Sequence, residues 1–320
     1  MFYLFALMSI FQAMKNILKF FLFFVVLCNL DAKVFSPPFA IIKPKPTPPV
    51  ISKDENTKFI IGGLKGGRLG NQFFFVAAAL SLGMDHGIPV YFPEFATRTD
   101  CQIPETAKRV FFRLNFSNPG VIRNIFSEKD DFTLVPIPLK PAMQTWGYFQ
   151  SEKYFVHNWD KIAPFFEPSE EVKEYIANKY DYLLTDPFTV GIHIRDYKGE
   201  RQELGNLYTI LERPYFEKAA NLFPPEALFV IFSDNMNYAK TVMQGFKRPH
   251  VFIEGEDFIT DFYLLSFLKH QIISNSTFSW WAAYMNKNPQ KVVVAPTKWF
   301  KPAFGIKDNN INPKAWIKIK

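Results

Sequence analysis

The sequence predicts an α/β fold organised around a doubly wound, parallel sheet of the nucleotide-binding type, and three observations carry that expectation. Four short apolar or β-branched runs punctuate the C-terminal half: F-T-V-G-I-H-I-R (188–195), L-F-V-I-F-S-D (228–234), H-Q-I-I-S-N-S (270–276) and K-V-V-V-A-P-T (291–297). Helical stretches at 214–222, 237–244, 257–268 and 278–285 separate most of them, the alternation expected of strands covered on both faces. Lastly, three of the runs end in polar residues, where open α/β sheets place their ligands.

Taken in order, the chain begins apolar. Residues 14–32 give a basic stretch (M-K-N-I-L-K), an apolar run and then L-D-A, the pattern of a secretion signal or short signal-anchor, so residues 1–32 are read as a membrane-targeting segment. Neither apolar piece reaches the roughly 20 residues that span a bilayer as a helix. Residues 33–57 carry prolines too dense for helix or sheet and read as an extended spacer. From residue 58 the pattern turns to β and α: a strand at 58–63, a helix at 71–86 and a strand at 88–92. The segment 97–182 is aromatic-rich and shows no clear period. A shorter strand candidate, H-V-F-I-E-G (250–255), joins the four C-terminal runs. The body therefore divides into an N-terminal lobe, 58–182, and a C-terminal nucleotide-binding lobe, 183–320.

At 320 residues, 48% of them hydrophobic, the chain is long enough for about two domains. A net charge of +7 favours anionic partners, but no Lys/Arg-rich block of the nucleic-acid kind occurs. Cys28 lies in the N-terminal apolar run, so Cys101 has no evident partner and the fold is not expected to need a disulfide. No D-x-D triplet is present, and the five histidines lack metal-ligand spacing, so no metal is expected; no cofactor is expected either.

The strand ends supply a set of groups suited to a nucleotide diphosphate: His193 and Arg195, Ser233 and Asp234, and Ser274 to Thr277. Arg195 can hold a phosphate with two parallel N–H groups, and Asp234 can accept from a purine edge. In S-N-S-T-F-S-W-W-A-A (274–283) the first-turn N–H groups, with Ser276 and Thr277, form an anion site that Trp280 and Trp281 would anchor. Ordinary N-capping by Ser or Thr explains the same residues without a ligand. A second turn, G-G-L-K-G-G-R-L-G-N-Q (62–72), permits close backbone approach at its glycines. It is not the dinucleotide fingerprint with Glu94 as ribose acid, because Lys65 stands where the first glycine of G-x-G-x-x-G is required.

Together these pieces resemble the α-1,2-fucosyltransferases. The most specific stretch is D-F-Y-L-L-S-F-L-K-H-Q-I-I-S-N-S-T-F-S-W-W-A-A-Y-M-N (261–286), followed by V-V-V-A-P-T-K-W-F (292–300). G-G-R-L-G-N-Q (66–72) resembles the family turn G-G-L-G-N-Q, and F-S-D (232–234) resembles a third landmark. The family motif H-x-R-R-G-D-Y is shortened here to H-I-R-D-Y (193–197), so Arg195 matches either family arginine, with Lys198 and Arg201 both open as replacements for the missing cation. Phe73 to Val76 also replace a more polar pattern in the first helix.

The resemblance implies a two-lobed, GT-B-like glycosyltransferase that binds GDP-fucose in its C-terminal half and a glycan acceptor largely in its N-terminal half. It implies metal-independent, inverting transfer to the 2-hydroxyl of a galactoside. On that reading Arg195 takes the β-phosphate, and Ser276 and Thr277 take the phosphates with the helix start. His193 and Asp234 take ribose or guanine, and the turn bearing Gly67, Gly70 and Asn71 closes over the pyrophosphate. A non-catalytic GDP-sugar or glycan-binding relative, and a transferase with another deoxysugar donor or a protein acceptor, remain open. So does Asp261, which reads equally as a helix-start carboxylate or a catalytic group.

Overall fold

The computed structural model describes residues 58–128, 134–200 and 202–320. The expected targeting segment and proline-rich spacer, residues 1–57, lie outside them, as does Arg201. Two parallel sheets organise the described chain. The first holds β1 (Ile60–Gly62), β2 (Val90–Tyr91), β3 (Asn124–Ser127) and β4 (Met143–Trp146) in the order β2-β1-β4-β3. The second holds β5 (Thr189–Ile194), β6 (Leu228–Ser233), β7 (His250–Phe252), β8 (His270–Ile272), β9 (Val293–Pro296) and β10 (Ile317–Ile319), in the order β10-β9-β8-β5-β6-β7. This is the two-lobed α/β architecture with a doubly wound second sheet that the sequence predicts. The aromatic-rich middle contributes two strands, β3 and β4, that its pattern did not reveal.

The longer helices are α1 (Leu69–His86), α2 (Ile103–Arg109), α3 (Glu170–Thr185), α4 (Arg213–Ala220), α5 (Met236–Val242), α6 (Phe258–Phe267) and α7 (Thr277–Met285). No helix among the described residues is long and apolar enough to cross a membrane. α1 is buried all round: from Leu69 to Gly83 every residue but Asn71 is covered. A helix with no polar face belongs inside a core. It ends at Gly87, whose left-handed backbone (φ 63°) turns its N–H back to the carbonyls of Gly83 and Met84.

One apolar core runs through both lobes because α1 packs directly against α7. Phe74 meets Trp280 and Trp281 at ring-centroid distances of 4.7 and 4.9 Å, and Phe73 meets Trp281 at 5.3 Å. Both tryptophans are fully buried, and Trp280 Nε1 donates to the Ile311 carbonyl at 2.8 Å. At the far end of α7, Lys291 Nζ donates to the carbonyls of Ala283, Tyr284 and Asn286 at 2.8–2.9 Å, satisfying acceptors the helix leaves open. The bulky pair holds α7 against α1, and the lysine closes its C-terminal end.

Candidate functional site

β6 and β7 lie on one side of β5, while β8, β9 and β10 lie on the other. The winding direction therefore reverses between β5 and β8, and the crevice beyond their carboxyl ends is the expected ligand position. His193 and Arg195 leave β5 there, and Ser274 leaves β8. His193 Nδ1 lies 2.9 Å from Ser274 Oγ, and its ring sits 5.1 Å from that of Phe278 on α7. Burial, with the neighbouring Arg195 charge adding to it, pushes the imidazole down to about 3, so His193 is neutral at physiological pH.

Arg195 Nη1 is ion-paired to Asp234 Oδ2, from the end of β6, and the guanidinium lies over the Tyr197 ring at 5.4 Å. The other Asp234 oxygen accepts the Asp196 N–H at 3.1 Å. Asp234 is thus committed to holding Arg195 and the turn after β5. Asp196, which sequence reasoning passed over inside H-I-R-D-Y, is buried and accepts from Asn235 Nδ2 and the Gly199 N–H at 2.8 Å each. Tyr197 donates to the Asn275 carbonyl at 2.6 Å and stacks on Tyr208 at 4.1 Å, tying the same turn to the end of β8.

Ser276 occupies the N-cap position of α7 with extended backbone, yet its hydroxyl makes no capping bond. Ordinary capping therefore does not account for it. Thr277 Oγ1 instead donates across the lobes to Asn71 Oδ1 at 3.1 Å. Gly70 approaches so closely that a β-carbon there would lie 2.5 Å from Phe278 N and from Thr277 C. The starts of α1 and α7 consequently meet, bringing Gly70, Asn71, Ser276 and Thr277 together.

The glycine-rich turn is held from behind. Leu64 donates its N–H to Glu94 Oε1 at 3.0 Å and accepts from Arg98 Nη1 at 2.5 Å, while Gln72 Nε2 donates to Gly67 O and Cys101 O at 3.3 and 2.8 Å. Glu94 braces the turn in place of the ribose-binding role a dinucleotide site would give it. Gly66 and Gly67 take positive φ (119° and 99°), where side chains are strained. Two hollows lie elsewhere, one of about 420 Å³ beside Tyr263, Phe267 and Lys269 and one of about 250 Å³ beside Leu82, Asp85 and Leu134. Neither contains the strand-end residues, so the candidate site is placed by the switch point and not by cavity size.

Asp257 caps α6, its Oδ1 accepting from the N–H groups of Ile259 and Thr260 at 2.8 and 3.0 Å, while Asp261 lies in the same helix's first turn without making a cap. Asp261 Oδ1 is buried with no partner among the described residues. Burial first, then the charges of Glu256 and Asp257, push its carboxyl up to about 8. A raised carboxyl favours the protonated form in the fold. Its cost is absent below the ordinary carboxylate pKa of about 4, grows from there to pH 8 and is complete above it. Asp261→Asn, neutral at every pH, is expected to stabilise the fold by about 1–3 kcal/mol at pH 8 and by much less at pH 5. Melting curves at the two pH values check this; a gain that does not grow with pH would assign the effect to packing.

Among the described residues no three His, Cys, Asp or Glu side chains gather as a metal cluster. Comparison with known proteins places the chain in a group. It is 28% identical over 195 residues to the O-antigen biosynthesis glycosyltransferase WbnK of Escherichia coli, covering 57% of this chain and 63% of that one. It is 28% identical over 189 residues to an alpha-1,2-colitosyltransferase of Escherichia coli (57% and 64%), and 26% over 243 to the galactoside alpha-(1,2)-fucosyltransferase 2 of Oryctolagus cuniculus (68% and 65%). The matches span just under two thirds of these relatives. Among solved structures, the NodZ alpha-1,6-fucosyltransferase soaked with GDP-fucose aligns with a TM-score of 0.45 at 13% identity, over 72% of this chain and 92% of that one. The model of the family described as "Glycosyl transferase family 11" matches residues 131–320, which include all of the second sheet and the strand ends that converge on Arg195. By that match the chain belongs to glycosyl transferase family 11.

Proposed function

We propose that the chain transfers L-fucose from GDP-fucose to the 2-hydroxyl of a galactoside-type glycan, inverting the anomeric carbon without a metal. The observation that carries this reading is the position of Arg195, fixed by Asp234 at the switch point beside the meeting of two helix N-termini. Charge building on the departing GDP is there met by a guanidinium and by first-turn N–H groups. Both Asp234 oxygens hold the protein, Oδ2 the Arg195 guanidinium and Oδ1 the Asp196 N–H, so Asp234 first aims Arg195, and the further lone pairs of a carboxylate let it also accept from the purine. Neutral His193 is suited to donate or accept a hydrogen bond at the ribose without adding charge.

A second reading, transfer of a different deoxysugar, is favoured by the likeness to the colitosyltransferase. Release of GDP decides between them. With GDP-fucose, purified protein is expected to release GDP faster when a lactose-type acceptor is present, and excess EDTA should leave the rate unchanged. Release from GDP-colitose alone would select the second reading, and loss on chelation with recovery in Mn²⁺ would overturn the metal-free mechanism.

A further inference from the structure

Beyond the strand ends, one hydrogen-bond chain reaches the candidate site from the acceptor-side lobe. Gln150, in the loop after β4, donates from Nε2 to Asn71 Oδ1 at 2.9 Å. Thr277 donates to the same oxygen at 3.1 Å. Both lone-pair directions of the Asn71 carbonyl are thereby occupied, one from each lobe. An amide side chain has two orientations differing only by exchange of O and NH₂, and its partners decide between them. The Thr277 hydroxyl can donate or accept and so follows either orientation; the Gln150 amide, donating from Nε2, is the partner that selects the one with the oxygen facing both.

The amide nitrogen consequently faces the other way, into the glycine-rich turn. A β-carbon on Gly67 would lie 2.1 Å from Asn71 Nδ2, so the absent side chain is what leaves room for that NH₂ group. The geometry also costs the protein something. Phe149, immediately before Gln150, holds a left-handed backbone (φ 50°), a conformation that costs a bulky residue about 1 kcal/mol or more. It is held there by Glu128, a buried carboxylate whose Oε2 accepts the N–H groups of Tyr148 and Phe149 at 2.7 and 2.9 Å. Burial raises the Glu128 carboxyl, a second local cost. Strain and a buried acid are both spent on the turn that aims Gln150.

We propose that Gln150 is a positioning residue that sets the polarity of the Asn71 amide, keeping its NH₂ group directed at the anionic part of the nucleotide-sugar donor. The proposal rests on the donor reading above. It makes a prediction opposite in order to a packing role. Glutamate is nearly isosteric with glutamine, so a residue that only fills space tolerates Gln150→Glu better than Gln150→Ala. A carboxylate, however, only accepts hydrogen bonds. It would draw the Asn71 NH₂ toward itself and turn the carbonyl oxygen toward the donor phosphates.

Gln150→Ala is therefore expected to lower turnover about three- to tenfold, and Gln150→Glu at least tenfold further, a factor worth about 1.4 kcal/mol. Calorimetry with GDP should show the same order. In an Asn71→Ala background, where there is no amide to orient, the two Gln150 variants should become equivalent. Nuclear magnetic resonance of asparagine-labelled protein gives a readout independent of activity: the Asn71 side-chain resonance, assigned by its loss in Asn71→Ala, should move in Gln150→Glu. A Gln150→Glu protein as active as Gln150→Ala or more so, a gap that persists without Asn71, or an unmoved resonance would each overturn the proposal. Wild-type protein that neither binds GDP nor releases it from GDP-fucose would instead overturn the donor reading, leaving the resonance to test the amide orientation.

Discussion

Replacing Arg195 by alanine is expected to lower turnover about tenfold to a few hundredfold, the value of a charge-assisted contact of about 1.5–3 kcal/mol that strengthens as the leaving group gains charge. The side chain is only 11% exposed and is fixed in advance by Asp234 and the Tyr197 ring, so little ordering remains to be done when a donor arrives. Arg195→Lys is expected to restore little, because a point charge cannot serve Asp234 and a phosphate in the same plane. Removing Arg195 also leaves Asp234 without its ion pair, which costs stability independently of catalysis. The double variant Arg195→Ala/Asp234→Ala separates the two effects: with the uncompensated carboxylate gone, part of the lost stability should return, short of wild type because the Asp196 N–H loses its acceptor, while turnover stays low. Unchanged steady-state kinetics in Arg195→Ala would remove the residue from the mechanism.

The C-terminal half was legible because its central strands are covered on both faces. Val190, Ile192 and Ile194 of β5, Phe229 to Ile231 of β6 and Val293 with Val294 of β9 are all buried, and that burial writes itself as unbroken β-branched or apolar runs. The first sheet writes that signal only in part: the strands at 58–63 and 88–92 were legible, but β3 and β4 were not. β2 is two residues long, and β3 alternates between half-buried and exposed positions among aromatic residues that pack from many directions. Even the readable stripe Val172, Ile176, Tyr180 and Leu183 of α3 was lost in that background.

The site divides in the same way. Residues at the ends of buried strands, His193, Arg195, Asp234 and Ser274, were legible because strand ends carry ligands. Their pairing was not, since nothing along the chain joins Arg195 to Asp234 or Gln150 to Asn71; those contacts exist only once the sheets are wound. The two aspartates of α6 show the limit most clearly. Asp257 and Asp261 stand one turn apart and look alike in sequence, yet one caps the helix and the other carries a buried, unpartnered oxygen.

Gly70→Ala is expected to lower both stability and turnover. No backbone strain is involved, because Gly70 lies in the first turn of α1 at ordinary negative φ. The obstacle is contact: the added carbon would sit 2.5 Å from Phe278 N and Thr277 C and 2.6 Å from Thr277 Oγ1, where normal carbon contacts need about 3.5–4 Å. Neither helix can yield cheaply, since Phe73 and Phe74 lock α1 against the buried Trp280 and Trp281 of α7. Overpacking of this kind costs about 1–3 kcal/mol, so the melting temperature should fall by several degrees. Activity should fall further than stability. Separating the two helix starts by about 1 Å breaks the Thr277–Asn71 bond and displaces the first-turn N–H groups, a misplacement that costs on the order of a hundredfold in turnover. Gly70→Ala/Thr277→Ala tests the cause. It removes the hydroxyl but leaves the backbone clash, so it should rescue neither stability nor turnover. Full recovery in that double variant would show that the threonine side chain, and not the close approach of the two helix starts, is what demands glycine at position 70.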